Sequence, residues 1–142
     1  MNQVILIAHG HLAAEMKASA EMLFGELPQF HTIDFLEEDG LESLSSKIYQ
    51  KMKTLNCPLL IFTDLFGGTP FNASCSVALR HPDLETEIVS GMSLPLVLEL
   101  AAILNSRPLK EIASALPSLV AGSVRLFDRQ LNQPEAERED LL

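Results

Sequence analysis

Positive charge is scarce in this chain of 142 residues: ten Lys and Arg stand against nineteen Asp and Glu, a formal net charge of −9 at pH 7. Such a field repels phosphate backbones and anionic lipid, so nucleic acid is not an expected partner. Cysteine is nearly absent. Cys57 and Cys75 form no Cys-x-x-Cys pair, and no second cluster could complete a zinc site, so both read as small apolar side chains in a reducing compartment. No unbroken apolar run exceeds five residues, as in Val4 to Ala8, against the roughly 18 that a membrane span needs. The first basic residue is Lys17, so no charged n-region precedes that run. A cytoplasmic protein without direct membrane insertion is expected. No Gly-x-x-x-x-Gly-Lys-[Ser/Thr] loop occurs either, and the five lysines all lie away from the paired glycines at 67 and 68, which disfavours an ATP-driven kinase.

What is present suits a folded domain. Apolar residues make up 47% of the chain and charged residues only 20%, enough to bury a sizeable interior. The length fits one domain, expected over 1–130, followed by an acidic tail over 131–142 whose Glu135, Glu137, Glu139 and Asp140 face only Arg138.

Strand and helix patterns alternate along the chain. Gln3 to Ala8 is a nearly continuous β-prone run, the pattern of a strand covered on both faces of a parallel sheet. Leu12, Met16, Ala20, Leu23 and Phe24 then share one helical face, with Gly25 as C-cap. Phe30 to Leu36 fits a second strand, and Leu41, Leu44, Ile48, Met52 and Leu55 a second helix. Pro58 to Thr63 is a third, fully buried strand that leads through Asp64-Leu65-Phe66-Gly67-Gly68-Thr69-Pro70 into a helix reaching about Leu79. Glu85 to Ser90 makes a fourth strand, Leu94 to Leu104 and Leu109 to Leu116 two more helices, the second stopped by Pro117, and Ser123 to Asp128 a short alternating strand. The expected fold is a doubly wound α/β sheet, mainly parallel, in the order 2-1-3-4. Such sheets bind ligands beyond the carboxyl ends of their strands, where strand order reverses. Here that crevice lies between strands one and three.

Two residues meet at that point. His9 ends the first strand, and Gly10 lets the chain turn sharply behind it. Asp64 holds the matching place after strand three, where its carboxylate can accept the Nδ1 hydrogen of His9 and leave the Nε2 lone pair facing the crevice. Thr69 suits an N-cap and Pro70 the first helical position. The amides of Phe71 and Asn72, the Thr69 hydroxyl and the flexible Gly67 and Gly68 then form a cradle for a dianionic phosphoryl group. Histidine, carboxylate and cradle together point to phosphoryl transfer through phosphohistidine, with no cofactor and no metal. No arginine precedes the histidine, so the Arg-His-Gly phosphatase pattern is absent. Asp64 alone could cap a strand end, and paired glycines alone usually close a loop. Only the combination is informative. His11 is expected to start the first helix in solvent, a minor candidate beside His9, while His31 and His81 read as structural and Met92 and Ser93 as packing or crevice rim.

The sequence resembles the mannose-type IIA domain of the bacterial phosphoenolpyruvate-dependent sugar phosphotransferase system, over residues 1 to about 128. The likeness rests on Ala8-His9-Gly10, on Ala20-Glu21-Met22-Leu23 with Gly25, on Ile33-Asp34-Phe35, and above all on Asp64-Leu65-Phe66-Gly67-Gly68-Thr69-Pro70-Phe71-Asn72-Ala73. Ala8, Phe66 and Thr69 stand where the family pattern has Thr, Trp and Ser. The resemblance implies that His9 takes a phosphoryl group at Nε2 from the carrier protein HPr and passes it to a IIB domain, which serves sugar uptake through the membrane subunits IIC and IID. It implies that Asp64 is the orienting carboxylate, Gly10 part of the phosphoryl site, and the protein a homodimer whose last strand, near Ser123 to Asp128, exchanges between subunits. A phosphorylation-sensing regulatory module of the same fold is the alternative. A tetrapyrrole metal chelatase, which also begins with strand-His-Gly, is the third reading.

Overall fold

A computed structural model describes residues 1–130. Its strands are β1 (Gln3–His9), β2 (Phe30–Phe35), β3 (Leu59–Thr63) and β4 (Thr86–Val89). Its helices are α1 (Leu12–Phe24), α2 (Leu41–Leu55), α3 (Thr69–Arg80), α4 (Leu94–Ile103), α5 (Leu109–Ala115) and α6 (Val120–Ser123), with a 3-10 turn at Leu116–Leu119. All strand pairs are parallel and the order is β2-β1-β3-β4. The expected 2-1-3-4 sheet is therefore observed.

The sheet is covered on both sides because its central strands are apolar throughout Val4 to Ala8 and Leu59 to Phe62. Val4, Leu6, Ala8, Leu60 and Phe62 face one layer with Ala13 and Ala20 of α1, Val97 and Leu100 of α4 and Ile112 of α5. Ile5, Ile7, Leu59 and Ile61 face the other, against Leu44, Ile48 and Met52 of α2 and Ala73 and Val77 of α3. Alternate residues of one strand thus serve two cores, as the period of two requires. Val4 to Ala8 are fully buried. At roughly 1.5–3 kcal/mol for each large aliphatic side chain buried, β1 is held firmly up to the residue before His9.

Two expectations need correction. Ala13 and Ala20 form the buried face of α1 with half-buried Met16, whereas Leu12, Leu23 and Phe24 are 45, 60 and 46% exposed. The small alanines seat the helix close to the sheet, which turns the bulkier side chains outward. The helix expected to stop at Pro117 does so, α5 ending at Ala115, and a 3-10 turn that begins one residue before the proline runs on into α6. Proline is tolerated there because the first amides of a new helical turn need no intrahelical partner. Finally, Ser123 closes α6, and residues 124–128 form no strand. Val124, Leu126 and Phe127 are 76, 91 and 58% exposed, and no sheet edge among the described residues receives them. The tail expected over 131–142 lies outside the described residues.

Candidate functional site

The register of the central strands sets the site. Ile7 pairs with Thr63, so His9 and Asp64 leave neighbouring strands side by side at their carboxyl ends. The His9 backbone N–H donates to Asp64 Oδ2 at 3.1 Å, and the ring Nδ1–H donates to the same oxygen at 2.9 Å. A carboxylate only accepts, so this contact places the hydrogen on Nδ1 and leaves Nε2 with its lone pair. The His9 side chain is 48% exposed and that of Asp64 only 13%. The partner is thus sheltered while the imidazole stays open to a visitor. Asp64 Oδ1 is buried and has no hydrogen-bond partner among the described residues.

Gly10 explains the sharp exit from β1. It sits at φ +60°, in the left-handed region that favours glycine, and its N–H donates to Phe35 O at 2.7 Å. The Phe35 ring meets the His9 ring edge-on at 5.4 Å and 83°. Carboxylate and aromatic ring together restrict the imidazole.

The turn before α3 approaches from the other side. Gly67 has φ +79°. Gly68 has ordinary backbone angles, but a Cβ there would lie 3.3 Å from His9 Cε1. Gly67 therefore serves the turn, and Gly68 the close approach of the ring. The cap is Gly68, not Thr69: Thr69 is the first helical residue, Pro70 the second, and no side chain caps the helix. The Thr69 and Phe71 amides bond no carbonyl among the described residues. The Asn72 amide, expected to be free, already bonds Gly68 O at 2.9 Å, and its side-chain Nδ2 donates to Gly67 O at 3.1 Å. Asn72 closes the turn, and the open donors at the positive end of α3 are Thr69 and Phe71.

Histidine outside a phosphoryl-binding family could also hold metal, but the described residues contain no group of three or more His, Cys, Asp and Glu placed to do so. The chelatase reading has no donor set there. No helix among the described residues is long and apolar enough to cross a membrane.

Comparison with known proteins decides the family. The family model described as "EIIA-man: PTS system fructose IIA component" matches residues 3–116. The chain belongs to this phosphotransferase-system IIA family. Among its IIA relatives, the sorbose-specific EIIA component of Lacticaseibacillus casei is 40% identical over 115 residues, 80% of this chain and 82% of that one. The fructose-specific EIIA component of Bacillus subtilis (strain 168) is 28% identical over 142 residues, 99% of this chain and 96% of that one. Among solved IIA structures, the mannose/sorbose specific IIA subunit from Enterococcus faecalis superposes with a TM-score of 0.82 at 30% identity, covering 93% of this chain and 97% of that one.

Other polar residues fall into place around this IIA site. His11 caps α1 as its first flanking residue, but it is not merely solvated: its ring Nδ1 lies 2.8 Å from Asp34 Oδ2. Sequence reasoning missed this pair, although strand order held the signal, since β2 and β3 flank β1 and each ends near an aspartate. His31 bonds Gln3 Oε1 at 2.8 Å, and burial first, then Lys51 and Lys17, pushes its pKa down. His81 stacks on Tyr49 at 3.9 Å. Met92 is buried in the core and Ser93 caps α4, so neither lines the crevice. Leu65 and Phe66, 58 and 76% exposed, form an apolar rim, with Phe66 tilted on Phe71 at 4.9 Å.

Proposed function

We propose that the protein is a phosphocarrier of a sugar phosphotransferase system, in which His9 accepts a phosphoryl group from phosphorylated HPr and yields it to a IIB domain serving the IIC and IID membrane subunits. The observation that carries this reading is the bond from His9 Nδ1 to Asp64 at 2.9 Å, with the ring's other nitrogen open. The Nε2 lone pair attacks phosphorus, a new P–N bond forms, and the P–N bond of the donor breaks with its electron pair returning to the donor imidazole. The His9 ring gains positive charge as it bonds phosphorus, and the Asp64 carboxylate stabilises that charge through Nδ1–H. The phosphoryl oxygens meet the Thr69 and Phe71 amides, where the helix end carries about half a positive charge. Onward transfer reverses the same steps with the IIB nucleophile.

Incubation with phosphoenolpyruvate, the general first enzyme and HPr tests the proposal. The wild type takes up one acid-labile phosphoryl group and His9→Gln takes up almost none; equal labelling of both proteins, or none of the wild type, overturns it. A homodimer belongs to the same reading. It is supported by the exposed apolar side chains of Val124, Leu126 and Phe127 and by a cleft of about 500 Å³ beside β4, lined in part by Val89, Leu96, Leu116 and Val120.

A further inference from the structure

The turn that carries His9 holds a second imidazole arranged in the same way. His11 Nδ1 lies 2.8 Å from Asp34 Oδ2, as His9 Nδ1 lies 2.9 Å from Asp64 Oδ2. In both carboxylates Oδ1 is buried and has no partner among the described residues. Asp34 stands opposite Ala8 on β2, and Asp64 follows Thr63 on the other flank of β1. One short loop is therefore gripped from both sides, each aspartate fixing Nδ1 of one ring. The His11 side chain is 73% exposed, more than that of His9. Both rings, with Gly10, Phe35, Leu36, Glu37 and Glu38, line one depression of about 680 Å³.

The surroundings of the two rings differ in what they offer an anion. His9 has the α3 amides beside it. Glu37 and Glu38, on the His11 side, repel a phosphoryl group, and Lys47 is engaged elsewhere, its Nζ 2.7 Å from Asp39 Oδ2 and 3.4 Å from the Asp34 carbonyl. A phosphoryl group seated on His11 would lack a cradle. With its Nδ1–H held by Asp34, His11 keeps Nε2 as its remaining nitrogen in the depression it lines, and a proton taken up there opposite phosphoryl oxygens makes that nitrogen a donor. His9 and His11 border the same depression, so a phosphoryl group on His9 that occupies it shares that space with the His11 side chain.

Resting on the phosphocarrier reading above, we propose that His11 is a second working imidazole of the site: held by Asp34, it donates a hydrogen bond from Nε2 to the phosphoryl group in transit to or from His9. It gives up no atom and no electron pair. The two P–N bonds made and broken are those of His9 and its partner, and His11 offsets charge on the phosphoryl oxygens that Glu37 and Glu38 otherwise oppose.

Side-chain isosteres separate this role from a structural one. The Asn amide nitrogen overlays Nδ1 and keeps only the bond to Asp34; the Gln amide nitrogen reaches the Nε2 position and keeps only the outward donor. Rates of phosphoryl uptake from phosphorylated HPr are measured by rapid quench for the wild type, His11→Ala, His11→Asn and His11→Gln, with melting temperatures recorded alongside. His11→Ala and His11→Asn are expected to slow uptake about tenfold at low HPr concentration, while His11→Gln recovers most of the loss and all four melt within a few degrees of one another. Recovery by Asn rather than Gln, or an unchanged rate in His11→Ala, overturns the proposal and leaves the phosphocarrier reading intact. Failure of the wild type to take up label at all overturns both.

Discussion

Two hydrogens of His9, one on its backbone nitrogen and one on ring Nδ1, converge on a single oxygen of Asp64 at 3.1 and 2.9 Å. The same carboxylate thus fixes both where the strand ends and how the ring is turned. Asp64→Asn retains an oxygen that can accept both of these hydrogens but loses the charge that would balance a phosphorylated imidazole. Phosphoryl uptake is expected to fall about 10²-fold, within the range seen when one electrostatic partner is removed, with little change in melting temperature. Rapid-quench transfer and a thermal melt on the same protein check both parts.

The paired glycines separate backbone strain from ring clearance. Gly67→Ala places a side chain at φ +79°, which costs on the order of 1 kcal/mol, and is expected to lower the melting temperature by about 2–4 °C. Gly68→Ala has no such strain, but its Cβ meets His9 Cε1 at 3.3 Å. It is expected to melt like the wild type and to transfer phosphoryl several-fold more slowly. Equal transfer rates for wild type and Gly68→Ala would refute the clearance argument.

Asp39 predicts an acid limb in the stability curve. Its carboxylate accepts from Lys47 Nζ at 2.7 Å, the Leu36 amide at 3.0 Å and Ser43 Oγ at 2.9 Å, with the Lys47 hydrogen bond the largest cause of a pKa lowered to about 2. Because the folded state holds this proton more weakly than the unfolded chain does, its contribution is complete above the ordinary carboxylate range and is lost as pH falls from about 4 toward 2. Urea midpoints measured across that window should fall less steeply for Asp39→Asn than for the wild type.

The segment after α6 bears on assembly. Three apolar side chains, Val124, Leu126 and Phe127, are exposed, and among the described residues β4 has a strand neighbour on one side only. A sheet edge and an exposed apolar segment complement each other between copies. Light scattering should give twice the chain mass for the full protein and a single chain mass for a variant ending at Gly122. A full-length monomer at micromolar concentration would remove the homodimer from the proposed reading.

The parts of this fold that could be read from the sequence depend on local pattern. Continuous apolar runs such as Val4 to Ala8 and Leu59 to Phe62 mark strands with no exposed face, and alternation with helical stripes leaves few possible orders. The His9 and Asp64 pairing followed because each comes directly after such a strand. What escaped depends on neighbours. The Ser123 to Asp128 alternation has strand periodicity, yet a strand forms only where an edge receives it, and none among the described residues does. The inward face of α1 was misjudged because Leu is the more apolar residue, while close packing on the sheet favours Ala13 and Ala20. The pairing of His11 with Asp34 depends on side-chain direction, which spacing along the chain does not encode.

Because β1 is clamped between two strands and two helical layers until one residue before His9, the nitrogen that the proposed function makes reactive has no arm on which to swing. A carrier built this way cannot travel from giver to taker. Both must come to the same stationary spot, and each occludes it while there, so giver and taker take turns and an excess of either one slows the other.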